Sequence, residues 1–161
     1  MKQAPLLQSR VAKAMRNEGL VSITAHLEDE DSARGRFSPW YREISIRQDL
    51  LDARINERGI DAVTDVLSHE MSHVEHREEM NRFHDTIIDR AYKLTNMGSP
   101  QDGTCLVGDY IAKGREQEAL AELAGINGLA DRMRAEEKGA VTEHRLGRRL
   151  FREHQLRRAA R

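Results

Sequence analysis

Val66-Leu67-Ser68-His69-Glu70-Met71-Ser72-His73-Val74 is the stretch on which the fold turns. It contains His-Glu-x-x-His. On a helix this spacing sets His69 and His73 one turn apart on one face, with Glu70 beside them. Two neutral imidazoles so placed can share a Zn²⁺ ion, and the carboxylate can take a proton from a water activated there. The chain has 7 His and 16 Glu among 161 residues, so a shuffled sequence would carry about 0.03 such matches. Ile60, Val63, Leu67, Met71 and Val74 recur at spacings of three or four, which predicts a helix buried on one side and lining a cleft on the other.

Composition bounds the rest. Charged residues make up 33% and aromatics 4%, so the core must be aliphatic and small. Residues 1–161 are read as one domain. The net charge of −1 sets up no global field for nucleic acid or membrane. Cys105 stands alone, which excludes both an intramolecular disulfide and a thiolate metal cluster. No stretch approaches 18 apolar residues, and the N-terminus lacks a signal-peptide core. The expectation is a soluble protein, cytoplasmic as made, with no membrane partner.

In order, residues 5–18 read as a helix with Leu6, Val11 and Ala14 or Met15 on its apolar side, stopped by Gly19. Leu20 to Leu27 reads as a strand, in which His26 is a solvated residue, and an acidic turn, Glu28 to Asp31, follows. Gly35 to Pro39 reads as a turn or loop. Tyr41 to Arg47 alternates and predicts a half-buried strand, at the edge of its sheet, with Ile44 and Ile46 inward. Extended peptides add to such edges. Trp40 and Tyr41 are assigned to packing. Asp49 caps a helix over 50–57 that Gly59 ends. The motif helix spans 60–76, and residues 77–94 keep helical spacing, continuous with it or kinked from it. Residues 96–104 form the longest loop, and 105–111 is an apolar piece of undecided type. Gly114 opens an Ala/Leu-rich helix reaching Arg134, broken at Lys138 and Gly139. A last Arg-rich helix is expected from Thr142 to Arg158.

Two histidines leave a catalytic zinc site one ligand short. A third histidine in the His-x-x-x-His-x-x-Gly-x-x-His pattern is absent, because Glu79 stands at that position. His76 would compete on nearly the same face as His73. Glu118-Ala119-Leu120-Ala121-Glu122-Leu123-Ala124-Gly125 resembles the second motif of the thermolysin-like zincins, the gluzincins, which follows their His-Glu-x-x-His. The resemblance covers two short segments, about a tenth of the chain. The spacing from His73 to Glu118 is longer than in thermolysin, and the chain is smaller.

That resemblance implies an α+β, mostly helical zincin-like metallopeptidase domain with a small β-sheet beside the motif helix. It implies one Zn²⁺ per chain on His69, His73 and Glu118, with Glu122 orienting a ligating histidine from the second layer. Glu116, in Glu116-Gln117-Glu118-Ala119, fits the looser Glu-x-x-Ala motif of other gluzincins and is the competing ligand. Glu70 would be the general base of an endopeptidase acting on a protein or peptide substrate. Tyr110, Tyr92, His144 and His154 are the candidates for oxyanion stabilisation. Small zincins without a signal peptide resemble toxin or effector domains delivered by bacterial secretion systems, which are met by a cognate inhibitor or immunity protein. They also resemble phage-type proteases. The contrasting reading is a non-catalytic binding module. Residues 144–161 carry seven Arg against Glu153, a patch suited to nucleic acid or an acidic partner. A pI near 6.7 argues against a dedicated nucleic-acid binder. A purely structural zinc site would have no need of Glu70.

Overall fold

The computed structural model describes residues 4–27, 33–52, 57–98, 102–137 and 147–148. The expected acidic turn at Glu28 to Asp31, most of the Thr142–Arg158 helix with its Arg patch, and the helix breakers Lys138 and Gly139 lie outside them. The chain is mixed α and β, mostly helical, with one small sheet.

Helix α1 (Pro5–Arg16) starts where Pro5 has no amide hydrogen to lose. Leu7 and Val11, one turn apart, are its buried residues, whereas Leu6 and Met15 are exposed. The Leu6 N–H donates to Asp131 (3.0 Å), and Arg10 grips Glu75 with two bonds of 2.8 Å. The helix ends at Arg16, and two residues on Glu18 takes a left-handed φ of 55°. The amides of Gly19 and Leu20 then both donate to the Ala14 carbonyl. The left-handed position is therefore Glu18, one residue before the glycine assigned to the stop.

Three strands follow: β1 (Ser22–His26), β2 (Gly35–Ser38) and β3 (Glu43–Arg47), in the order β1-β3-β2. β1 runs parallel to β3 and β2 antiparallel to it. Two expectations are corrected here. Residues 35–38 form a strand, and β3 is the centre of the sheet rather than its edge. Ile44 and Ile46 do face inward, and they pack with Leu20, Leu67, Met71 and Val74 in the core. On the opposite face Glu43 accepts hydrogen bonds from Ser22 and Thr24 of the neighbouring strand. Trp40 and Tyr41 occupy the β2–β3 turn, 91% and 78% exposed, so neither packs in the core.

A short α2 (Gln48–Asp52) leads to α3 (Glu57–Thr95), and α4 (Thr104–Glu137) returns along it. α3 is one helix of 39 residues, ~58 Å long. Gly59 lies inside it instead of ending a preceding helix, and residues 77–94 continue it without a break. α4 absorbs both the undecided 105–111 piece and Gly114. The two helices are antiparallel. Buried Arg132 pairs with Asp61 at one end, Lys113 with Glu79 further along, and Arg90 with Asp109 (2.7 Å) near the tip. Close approach in the middle is set by glycine. A Cβ at Gly128 would collide with Ser68 Oγ, and one at Gly125 would stand 2.5 Å from Asp65 Oδ1. The contacting faces are unusually polar, with Asp61, Thr64, Asp65, Ser68 and Ser72 buried on α3 and Gln117 and Arg132 on α4.

Candidate metal centre

The motif helix turns His69 and His73 toward the same point. Their Nε2 atoms are 3.3 Å apart, with ring centroids at 5.1 Å. Glu118, brought up by the close packing of α4, places Oε2 3.6 Å from His69 Nε2 and Oε1 3.6 Å from His73 Nε2. These three residues could hold a metal ion, and no fourth His, Cys or carboxylate joins them among the described residues. One donor atom from each residue lies within 4.8 Å of the others, close enough for the three to converge on one ion. Two imidazole nitrogens and a carboxylate are also a donor set that zinc accepts. The residues therefore fit the ion.

Burial makes His73 ready for that task. Loss of water pushes its pKa down, the Glu118 charge opposes this, and His69 and His76 add to it. A ligating histidine must be neutral, so the shift favours binding. Glu122 Oε1 lies 3.9 Å from His69 Nδ1, the ring nitrogen that does not face Glu118, and is beyond hydrogen-bond range.

Glu70 points toward the sheet and lines the same cleft as His69, His73 and Glu118. Its backbone neighbours are β2 residues. The Phe37 N–H donates to its carboxylate, and a Cβ at Gly35 would sit 3.2 Å from its Cγ and collide with Val66. Gly35 is thus required for the strand to lie against the helix. Burial raises the Glu70 pKa to about 7, the Phe37 amide and the Arg36 guanidinium hold it down, and Glu118 pushes it further up. A carboxyl tuned near neutrality is suited to accept and return a proton.

Other candidates fall away from the centre. Glu116 pairs with Lys113 (2.9 Å), on an exposed part of the helix. His76 Nδ1 lies 2.7 Å from the Ser72 carbonyl oxygen, which can only accept, so the imidazole donates there. Tyr110 stacks on His84 and Phe83, with centroids at 5.7 and 6.5 Å. Tyr92 stands exposed near the end of α3, ~28 Å along the helix from His73. Neither tyrosine reaches the centre, and His144 and His154 lie outside the described residues. His26, partly exposed at the end of β1, is also not part of the group.

Residues that the sequence reading did not single out line the same cleft of about 940 Å³: Gly35, Arg36 and Phe37 on β2, Arg77 on α3 and Gln117 on α4. Gln117 is buried, and its Nε2 has no hydrogen-bond partner among the described residues. The spacing of Gln117, Ala121, Gly125, Gly128 and Arg132, in steps of three and four, is the signal that would have placed it on the buried face. Gly35 carried no comparable signal.

Compared with known protein families, with curated proteins and with solved structures, the chain matches none. No helix among the described residues is long and apolar enough to cross a membrane.

Proposed function

We propose that the chain is a zinc-dependent endopeptidase of the gluzincin type, with His69, His73 and Glu118 as the ligands and Glu70 as the general base. The observation that carries this reading is the convergence of two imidazole nitrogens 3.3 Å apart, each 3.6 Å from one oxygen of the Glu118 carboxylate, in a cleft that the buried Glu70 carboxyl also lines. A structural zinc site is usually closed by four protein ligands, whereas a catalytic one keeps a position for water or substrate.

Zinc, when bound, would polarise a peptide carbonyl and acidify a water molecule. Glu70 takes the proton that the attacking water loses and returns it to the leaving amine. The Phe37 amide holds the Glu70 carboxylate in place and favours its ionised form. A dication nearby would favour that form further. Glu122 lies on the Nδ1 side of His69, where its charge would orient the ring once the histidine ligates. The effector or toxin setting, and with it a cognate immunity protein, belongs to this proposal on the strength of the resemblance alone.

Metal titration tests it. The protein should bind one zinc per chain, and hydrolysis of an unfolded protein substrate should rise and saturate at that same ratio. His69→Ala and His73→Ala should each abolish tight binding. Full zinc content in both variants would remove the assignment.

A further inference from the structure

The cleft does not stop at the metal centre. It follows α3 outward along one stripe, through His73, Arg77, Met80, His84 and Ile88, each three or four residues from the last. From His69 to Ile88 that stripe is ~28 Å long. Trp40, on the β2–β3 turn, lines the same cleft. It is also the largest exposed apolar side chain of the molecule, and Ile88 on the stripe is 63% exposed.

This second half of α3 has left the core. The last α3 residue in the apolar cluster is Val74. Beyond it the helix is braced by α4 through Lys113–Glu79, Arg90–Asp109 and the stack of Tyr110 on Phe83 and His84. Among the described residues nothing covers the stripe facing the cleft, and Trp40 and Ile88 stand exposed there. Large exposed apolar groups gathered along one cleft mark a binding surface.

Part of the sheet edge beside the centre is already taken. In the antiparallel ladder the Arg47 N–H donates to the Arg34 carbonyl, so the alternation turns the backbone groups of Gly35 and Phe37 outward. The Phe37 amide is already committed to Glu70, and Gly35 is packed against Val66 and Glu70. The long axis of the cleft runs along α3.

Resting on the peptidase reading, we propose that the substrate is an extended polypeptide lying along α3, with a large apolar side chain seated against Trp40, Met80 and Ile88. The occupant is argued from continuity, because the groove and the metal centre are one cleft. A carbonyl inside a helix is already hydrogen-bonded and hidden, so the chain that enters the centre is extended. At ~3.3 Å per residue the stripe holds about eight residues. The enzyme therefore needs a long substrate and an apolar anchor several residues from the cleaved bond.

Trp40 is the only tryptophan, so its fluorescence reports arrival of the chain. The probes are three synthetic pools, all made without tryptophan: random dodecapeptides, dodecapeptides lacking large apolar residues, and random tetrapeptides. Added to zinc-loaded Glu70→Gln protein, the random dodecapeptides should shift Trp40 emission to the blue, and the other two pools should not. In the active enzyme, Trp40→Ala and the exposed-site variant Ile88→Ser should each raise KM for dodecapeptides about tenfold, more than they lower kcat. Cleavage of all three pools alike, with both variants behaving as wild type, would overturn the groove while leaving the peptidase reading in place. A blue shift specific to the apolar dodecapeptides in a protein that cleaves nothing would support the groove and overturn the peptidase reading.

Discussion

Glu118 and Glu116 stand two residues apart on α4, yet one faces the histidine pair and the other a lysine. Coordination needs a carboxylate within about 2 Å of the ion, so this difference decides which acid matters. Glu118→Ala should lose zinc binding and activity. Glu122→Ala should lose roughly 10–100-fold, as expected when the partner of a ligating histidine is removed. Glu116→Ala should be nearly silent. Chelator competition, with circular dichroism to confirm folding, gives the order Glu118, Glu122, Glu116; zinc loss in Glu116→Ala with retention in Glu118→Ala would reverse the register by two residues. The histidine pair was legible in the sequence because four residues on a helix fix a geometry locally. The third acid was not, since a contact across 45 positions depends on how two helices pack. Only the resemblance of 118–125 to a known motif pointed to it.

At the scale of elements, the helices were easier to read than the sheet. Arg77-Glu78-Glu79-Met80 contains only strong helix formers, so nothing interrupts α3 after His76. β2 was missed because Gly35 and Pro39 carry turn signals, while its real determinant is lateral, the need for a residue without Cβ where the strand meets Val66 and Glu70. Glycine was misread in the helices for the opposite reason. Gly114 faces open space, and one glycine costs a long, well-braced helix only about 1 kcal/mol. Two substitutions separate these roles in chemical denaturation. Gly114→Ala should stabilise the protein by about 0.5–1 kcal/mol. Gly35→Ala should destabilise it by about 1–3 kcal/mol, and Gly35→Ala with Val66→Ala should show a coupling energy of about 0.5–3 kcal/mol. Additive effects in that pair would mean that the strand does not bear on the helix there.

Across the whole molecule, α3 and α4 form one long hairpin with a core at one end, an open arm at the other and the candidate zinc site between them. The core end is held by a charge. Arg132 is 1% exposed and pairs with Asp61 and Glu136. Arg132→Ala should cost about 3–5 kcal/mol by stranding buried Asp61, while Arg132→Ala combined with Asp61→Ala should recover part of that loss. No recovery in the double variant would show that Arg132 acts through packing alone. Zinc bridges the two helices in this account, so it should raise the melting temperature of wild type and not of Glu118→Ala. Peptide cleavage would depend on the pairing of that ion with Glu70. That pairing is tested most directly by incubating an unfolded protein substrate with zinc-loaded wild type and zinc-loaded Glu70→Gln and identifying new chain termini by mass spectrometry. Wild type should give new termini, suppressed by chelation, and the variant a loss of at least about 10²-fold at unchanged zinc content. Equal cleavage by the two proteins, or an intact substrate with fully zinc-loaded wild type, would contradict that pairing.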